Sequence, residues 1–290
     1  MLFSYFRSGE IISVKQQPHP VSPYQLGSNP NLVSIIIPTR DQVVLLRQCL
    51  DSIHMLSTHS NYEIIVVDNG SRLQETAEFL AQVEVNDVRV LREDYAFNFS
   101  TLINAGVSAS RGDTIVVLNN DTAVISGDWL ERLSSHLNDL EIGVVGALLL
   151  DGNGLVQHAG IAYGIRGLAT HAFRGEQIDT IQNFFGSASS QMVSAVTFAC
   201  AAFRRSLHSD LGGLDESLPI GLNDVDFCLR AEKLGKKNVV DFHTVLRHLE
   251  SRSRPHPTKS LKGVFESIAA VLTFIRIHKD YPSTDPFFRA

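Results

Sequence analysis

The chain has 290 residues, 44% of them hydrophobic, and its 25 basic and 31 acidic side chains give a formal charge of −6. That balance argues against wholesale electrostatic binding to nucleic acid and leaves at most a basic patch at 247–262. Cys49, Cys200 and Cys228 have no disulfide-like or metal-like spacing and read as reduced thiols, and no apolar run reaches the roughly 18–20 residues of a membrane span.

Residues 1–31 read as a leader or linker, because Pro18, Pro20, Pro23 and Pro30 interrupt any regular element. The apolar start is too short for a signal peptide. The spacing then predicts a fully apolar strand at 33–37 stopped by Pro38, a helix at 43–55, and a strand at 63–67 ending in the turn Asp68-Asn69-Gly70-Ser71. A helix at 73–83, a strand at 88–91, a helix at 100–110 and a strand at 114–118 follow. Apolar strands alternating with helices predict an α/β fold with a Rossmann-like, mostly parallel sheet covered on both faces. Further on come a helix at 128–140, a hairpin signal at Asp151-Gly152-Asn153-Gly154 and a long Gly-rich loop at 160–187. β character returns at 193–203, a helix at 224–234 ends at Gly235, and 262–278 reads as a last amphipathic helix.

Ligands of open α/β sheets bind at the C-terminal ends of the strands. Thr39-Arg40-Asp41, Asp68-Asn69 and Asn119-Asn120-Asp121 should therefore converge there. Asp121 with its amide neighbours suits a divalent metal on a diphosphate, although Asn-Asp-Thr is also ordinary turn chemistry. Asp68 fits either a base or ribose contact or an Asx-turn. On a helical wheel Asp224 heads the buried arc of Val225, Phe227, Cys228 and Leu229, where desolvation would raise its pKa and suit a general base. The helix N-terminus could equally hold it as a stabilised carboxylate. Asp226 falls on the opposite face and reads as a solvated partner of Arg230 at i,i+4. His248 is a metal-ligand candidate or a plain hydrogen-bonded histidine, and His158 is a further candidate of the same kind.

The segments VSIIIPTRD (33–41), EIIVVDNGS (63–71), NFSTLINAGVSASRGDTIVVLNNDT (98–122), QHAG (157–160), NDVDFCLR (223–230) and RHLES (247–251) together resemble the family 2 glycosyltransferases. The resemblance is to the branch that assembles bacterial O-antigen, rhamnan and other polysaccharides. It implies the GT-A fold with a smaller mixed sheet on the acceptor side. It also divides 32–255 into a nucleotide-sugar half, 32–125, and an acceptor and catalytic half, 126–255, with 256–290 supplying a helix packed on the domain. By the same resemblance Pro38, Thr39 and Arg40 line the nucleotide pocket, Asp68 binds the base, and Asn98 and Asn104 help hold the nucleotide. Asn120 lies near the ribose, Asn119 is a further donor-binding residue, Asp121 binds Mg²⁺ or Mn²⁺, and His248 reaches the metal or diphosphate. Asp224 deprotonates the acceptor hydroxyl in an inverting displacement, and His158 lies on the acceptor side. The donor would be a UDP- or dTDP-linked sugar and the acceptor a glycan or lipid-linked glycan. The implied location is cytoplasmic, with at most peripheral contact at the inner face of the membrane. The metal motif reads Asn-x-Asp where the family often has Asp-x-Asp, and the base motif reads Asn-Asp where Glu-Asp is common. A sugar nucleotidyltransferase would carry a Gly-rich basic loop after the first strand, which Pro38-Thr39-Arg40-Asp41 is not. A non-catalytic sugar-binding module would have no need of Asp121 and Asp224.

Overall fold

Strand runs with no polar face belong at the centre of a sheet covered on both sides, and the computed structural model puts them there. It describes residues 2–7, 10–15, 32–85, 88–164, 168–186, 188–249 and 261–289. In chain order the first half comprises β1 (Leu2–Arg7), β2 (Glu10–Lys15), β3 (Val33–Thr39), α1 (Val43–Leu56), β4 (Tyr62–Asp68), α2 (Gln74–Val85), β5 (Val88–Arg92), α3 (Phe99–Ala109), β6 (Thr114–Leu118) and β7 (Thr122–Val124). The second half comprises α4 (Trp129–His136), β8 (Ile142–Leu150), β9 (Val156–His158), β10 (Ile161–Tyr163), β11 (Ala169–His171), α5 (Ile178–Phe185), β12 (Ser190–Val193) and β13 (Cys200–Arg204). It closes with α6 (Arg205–Asp210), α7 (Asn223–Lys233), β14 (Lys237–His248), α8 (Leu261–Ile277) and β15 (Phe288–Arg289).

Among the described residues, a ten-stranded sheet runs β12-β14-β8-β13-β6-β3-β4-β5, with β7 beside β14 and β9 beside β8. The β6-β3-β4-β5 portion is parallel throughout. β13 enters antiparallel between β6 and β8, so the mixed strands of the second half continue the same sheet. Two apolar layers cover it. Ile36 of β3 joins the layer under α3, α5, α7 and α8, while Val33, Ile35 and Ile37 join the layer under α1, α2 and α4.

Several expectations change. Pro38 does not end β3, for it pairs with Val67 and Thr39 pairs with Asp68. Beyond Ile36 the strand has lost β6 as a neighbour, and a residue without an N–H is tolerated at that open edge. Part of the supposed leader forms an antiparallel hairpin, β1 with β2, which β15 extends; 16–31 lies outside the described residues. The supposed loop at 160–187 contains the β10–β11 hairpin and α5. The stretch at 193–203 is two strands, β12 and β13, and the helix predicted at 128–140 stops at His136. The hairpin at Asp151 is present, with the Asp151 carboxylate accepting from the Asn153 and Leu155 N–H groups.

Asp226 is not solvated. It is 0% exposed, takes Arg230 at 2.6 and 2.9 Å, and lies 2.8 Å from His278 Nε2 just after α8. The wheel identified the Arg230 partner, but the polar face of α7 is covered by a segment about 50 residues away, which periodicity cannot reveal.

Gly106 lets α3 lie directly on the sheet. A Cβ there would stand 2.4 Å from Ile36 Cγ2 and 3.1 Å from Val67 Cγ2. Gly106→Ala should therefore lower stability by about 1–3 kcal/mol, because overpacking outweighs the gain in helix propensity. Urea unfolding measures this, and an unchanged midpoint would contradict the packing argument.

Candidate active site

The strand ends β3, β4 and β6 do converge. Asn120 Nδ2 donates to Thr39 Oγ1 at 2.9 Å, and Asn69 N–H donates to the Thr39 carbonyl at 2.9 Å. Asp41 N–H reaches Ser71 Oγ, while Asp41 Oδ1 accepts from the N–H groups of Arg72 and Leu73. Arg40 is exposed beside this junction.

β6 ends in a tight turn in which the Asn119 carbonyl accepts from both the N–H and the hydroxyl of Thr122. The chain then enters β7, whose partner is the end of β14, with Thr122 opposite His248. That register brings His248 back to Asp121, and the Asp121 carbonyl accepts from Leu249 N–H at 2.9 Å. A bulge in β14 between Asp241 and Val245 sets the register. Asp241 holds that bulge by accepting from the N–H groups of His243 and Thr244 and by pairing with His136 at 2.8 Å. The pairing with His136, working against burial, leaves the Asp241 carboxyl below its ordinary range.

His248 Nε2 lies 3.1 Å from Asp121 Oδ1 and 3.3 Å from Asn119 Nδ2, and both Asp121 and His248 are buried. On its other side Nδ1 is 2.7 Å from Gln157 Oε1. An amide oxygen only accepts, so Nδ1 carries the proton, and Nε2 either shares a proton with Asp121 or offers its lone pair. A divalent cation would replace that proton. Adjacent ligands on an octahedral ion with bonds of about 2.1 Å stand about 3 Å apart, which matches this separation. Among the described residues no group of three His, Cys, Asp or Glu side chains could hold a metal. Asp121 and His248 thus suit a metal whose remaining ligands come from elsewhere. Gln157→Leu should weaken Mn²⁺ binding about 10–100-fold by freeing the imidazole, with Gln157→Glu retaining it. Calorimetric titration with Mn²⁺ in the presence of nucleoside diphosphate tests this; equal affinity in the Leu variant would refute it.

Asp224 enters α7 through Gly221 and Leu222, both at positive φ, the latter at 60°. It is half-buried, and burial raises its carboxyl above the ordinary aspartate range. Hydrogen bonds from the Val225 and Phe198 N–H groups and the Thr197 hydroxyl work in the opposite direction. The short segment 197–199 ties this carboxylate to the β6 turn, since the Ala199 carbonyl accepts from Asn119 N–H at 2.9 Å.

His158 is enclosed within the fold. It is 0% exposed, and burial, then His171 and His248, hold its imidazole neutral, well below the ordinary histidine range. Its Nε2 accepts from Thr197 N–H at 3.4 Å, which makes Nδ1 the donor to His171 Nδ1 at 2.9 Å. Two consecutive residues of β9 therefore brace both chemical groups, Gln157 through His248 and His158 through Thr197.

Other candidates are heavily engaged. Asp68 is fully buried, with Oδ1 accepting from Ser71 N–H and Oγ and Oδ2 paired with Arg92 at 2.9 Å. Asn98 caps α3 and donates to the Glu216 carbonyl. Asn104 donates to Glu216 Oε1 and the Leu214 carbonyl, and its oxygen accepts from Leu214 N–H and stands 3.0 Å from His208 Nε2. These two amides brace the segment leading into α7. Pro38 lies within β3 and Thr39 is buried. Sequence reasoning missed Gln157, Thr197 and Arg92. The last had a legible signal, a basic residue at the end of a strand in the parallel portion.

The mostly parallel central sheet, its mixed continuation and the helices on both faces make up a GT-A glycosyltransferase fold. Two solved structures share the fold. The mannosyltransferase PcManGT of Pyrobaculum calidifontis, in complex with GDP-Man and Mn²⁺, gives a TM-score of 0.62 at 16% identity over 88% of this chain and 68% of that one. GalNAc-T7 with UDP, GalNAc and Mn²⁺ gives 0.67 at 17% identity over 86% and 48%. Residues 34–212, more than half of the chain, match the model for Glycosyl transferase family 2, and the chain belongs to that family. The uncharacterized protein y4gI of Sinorhizobium fredii is 41% identical over 228 residues, 78% of this chain and 25% of y4gI. The O-antigen biosynthesis protein RfbC of Myxococcus xanthus is 35% identical over 223 residues, 77% of this chain and 18% of RfbC. The chain thus spans a quarter or less of the length of either relative.

Proposed function

We propose that this chain transfers a sugar, with inversion, from a UDP- or dTDP-linked donor to a hydroxyl of a glycan or lipid-linked acceptor in bacterial surface polysaccharide synthesis. The observation that carries the reading is the joining of Asp121 with His248, and of both with Asp224, through 197–199 and β9. The similarity to RfbC supports the polysaccharide role, and the Mn²⁺ bound by both structural neighbours supports the metal. Asp224 accepts the proton of the acceptor hydroxyl as that oxygen bonds to the anomeric carbon and the bond to the diphosphate oxygen breaks. Held by Asp121 and His248, Mg²⁺ or Mn²⁺ would supply positive charge for the leaving diphosphate. Thr39, Asn119 and Asn120 position the nucleotide end, with Arg40 at the open side of the pocket. The raised carboxyl of Asp224 fits a base held in a partly dry site.

A panel of UDP-, dTDP- and GDP-sugars, scored by thermal shift with and without Mn²⁺, tests the assignment. The expected result is a rise in melting temperature confined to UDP- or dTDP-sugars and dependent on metal, by mass action. No shift with any donor, or release of pyrophosphate from sugar phosphate and nucleoside triphosphate, would overturn it.

A further inference from the structure

The strand order β6-β3-β4-β5 reverses at β3. From β3 the chain passes through α1 to β4 on one side, and β6, reached from β5 through α3, lies on the other. Residues of α1 and α3 join opposite apolar layers of the sheet. The connections at this point therefore leave in opposite directions, and a crevice opens beyond the ends of β3 and β6. Thr39 and Asn120 meet at its floor, with Nδ2 2.9 Å from Oγ1.

Asp41 sets which way the β3 side of that crevice leans. Its φ is 49°, in the left-handed region that a short polar side chain enters at modest cost. Its N–H donates to Ser71 Oγ at 2.9 Å, and its Oδ1 accepts from Arg72 N–H at 2.6 Å and from Leu73 N–H at 2.9 Å. The loop it grips is braced from the far side. Asn69 Nδ2 donates to the Glu93 and Tyr95 carbonyls, and the Arg92 guanidinium spans Asp68 Oδ2 and the Ser71 carbonyl. The loop after β3 is thus drawn toward β4 and away from β6.

We propose that Asp41 is a positioning residue for the donor, holding the crevice between β3 and β6 open so that Thr39 and Arg40 meet the nucleotide end. This rests on the donor site proposed above. A carboxylate that accepts two backbone N–H groups makes charge-assisted bonds, stronger than neutral ones. Asp41 is half-buried, so water replaces those bonds only in part when the carboxylate is removed. Its hydrogen bonds among the described residues run to the loop after β4, whereas Asp121, His248 and Asp224 are set by the β6 turn, β14 and α7. Loss of the grip therefore disturbs nucleotide binding and leaves the chemical groups in place.

Three variants test it, through steady-state transfer kinetics and calorimetric titration with UDP and dTDP in the presence of Mn²⁺. Asp41→Ala should raise the donor KM and the nucleotide Kd about tenfold, with kcat within about twofold of wild type. Asp41→Gly keeps the left-handed backbone and loses the acceptor, so it should match the Ala variant. Asp41→Asn still accepts both N–H groups and tolerates the same φ, so it should restore most of the affinity. A change that only loosened the fold would lower the melting temperature without splitting KM from kcat in this way. A Gly variant with wild-type affinity would mean that backbone conformation alone opens the crevice, and would overturn the inference. Nucleotide binding by the wild type at an affinity that the Ala variant shares overturns this inference alone. Absence of nucleotide binding by the wild type overturns the donor-site reading and this inference with it.

Discussion

Asp224→Asn lowers the transfer rate by about 10²–10⁴-fold, the range over which a positioned general base contributes, while donor and metal affinities stay close to wild type. The side chain keeps its size at the head of α7, and Asp121, His248 and Asn120 are untouched by the change. Steady-state transfer assays with donor-binding titrations separate the two effects; near-normal turnover would remove Asp224 from the mechanism. The acid side of the pH profile supplies an independent check. Asp224 must be ionised to accept a proton, and burial raises its carboxyl, so activity falls with decreasing pH at a higher pH than an ordinary aspartate would give. Thr197→Val removes one of the hydrogen bonds that favour the ionised form and should move that limb higher still. Stability follows the opposite sign. A carboxyl raised in the folded state binds more protons folded than unfolded. The wild type should therefore lose stability relative to the Asn variant as pH rises from the unfolded value through the folded one.

Asp121→Asn is the second large effect. Asp121 is the carboxylate that pairs with His248, and its replacement leaves an imidazole and amides, which are poor holders of Mg²⁺ or Mn²⁺. Turnover should fall about 10²–10³-fold, the scale of losing electrostatic stabilisation at a leaving group, and the residual rate should no longer respond to chelator. Mn²⁺ binding followed by electron paramagnetic resonance should be lost along with it. The two variants have distinct signatures: Asp121→Asn loses the metal and keeps the acid limb, and Asp224→Asn does the reverse. Full wild-type turnover in excess chelator would strip Asp121 of this role.

The parallel half was legible because each strand there is a short apolar run closed by a polar turn, and topology alone then brings distant turns to one edge. The opposite half was harder. The run IGVVGALLL is nine buried residues in β8, yet it has no alternation to separate strand from helix. Asp224 was visible through its misfit on an apolar helix face. Gln157 and Thr197 were not, because they act through partners 91 and 27 residues away in sequence, His248 and Asp224, and neither residue type is unusual where it stands. Asn98 and Asn104 were assigned to the nucleotide by resemblance, whereas their amides are engaged with the segment before α7. A motif marks that a position matters without saying which neighbour it serves.

The pairing of β7 with the end of β14 sets a rule for anyone recombining family members. Residues 122–124 lie in the first half of the chain and 246–248 in the second, but they form one ladder. A hybrid spliced near residue 125 inherits the carboxylate from one parent and the imidazole from the other, and neither parent's register is guaranteed. A hybrid therefore keeps this ladder and the His248–Gln157 contact intact only when the crossovers carry 119–124, 156–158 and 246–249 together from a single parent.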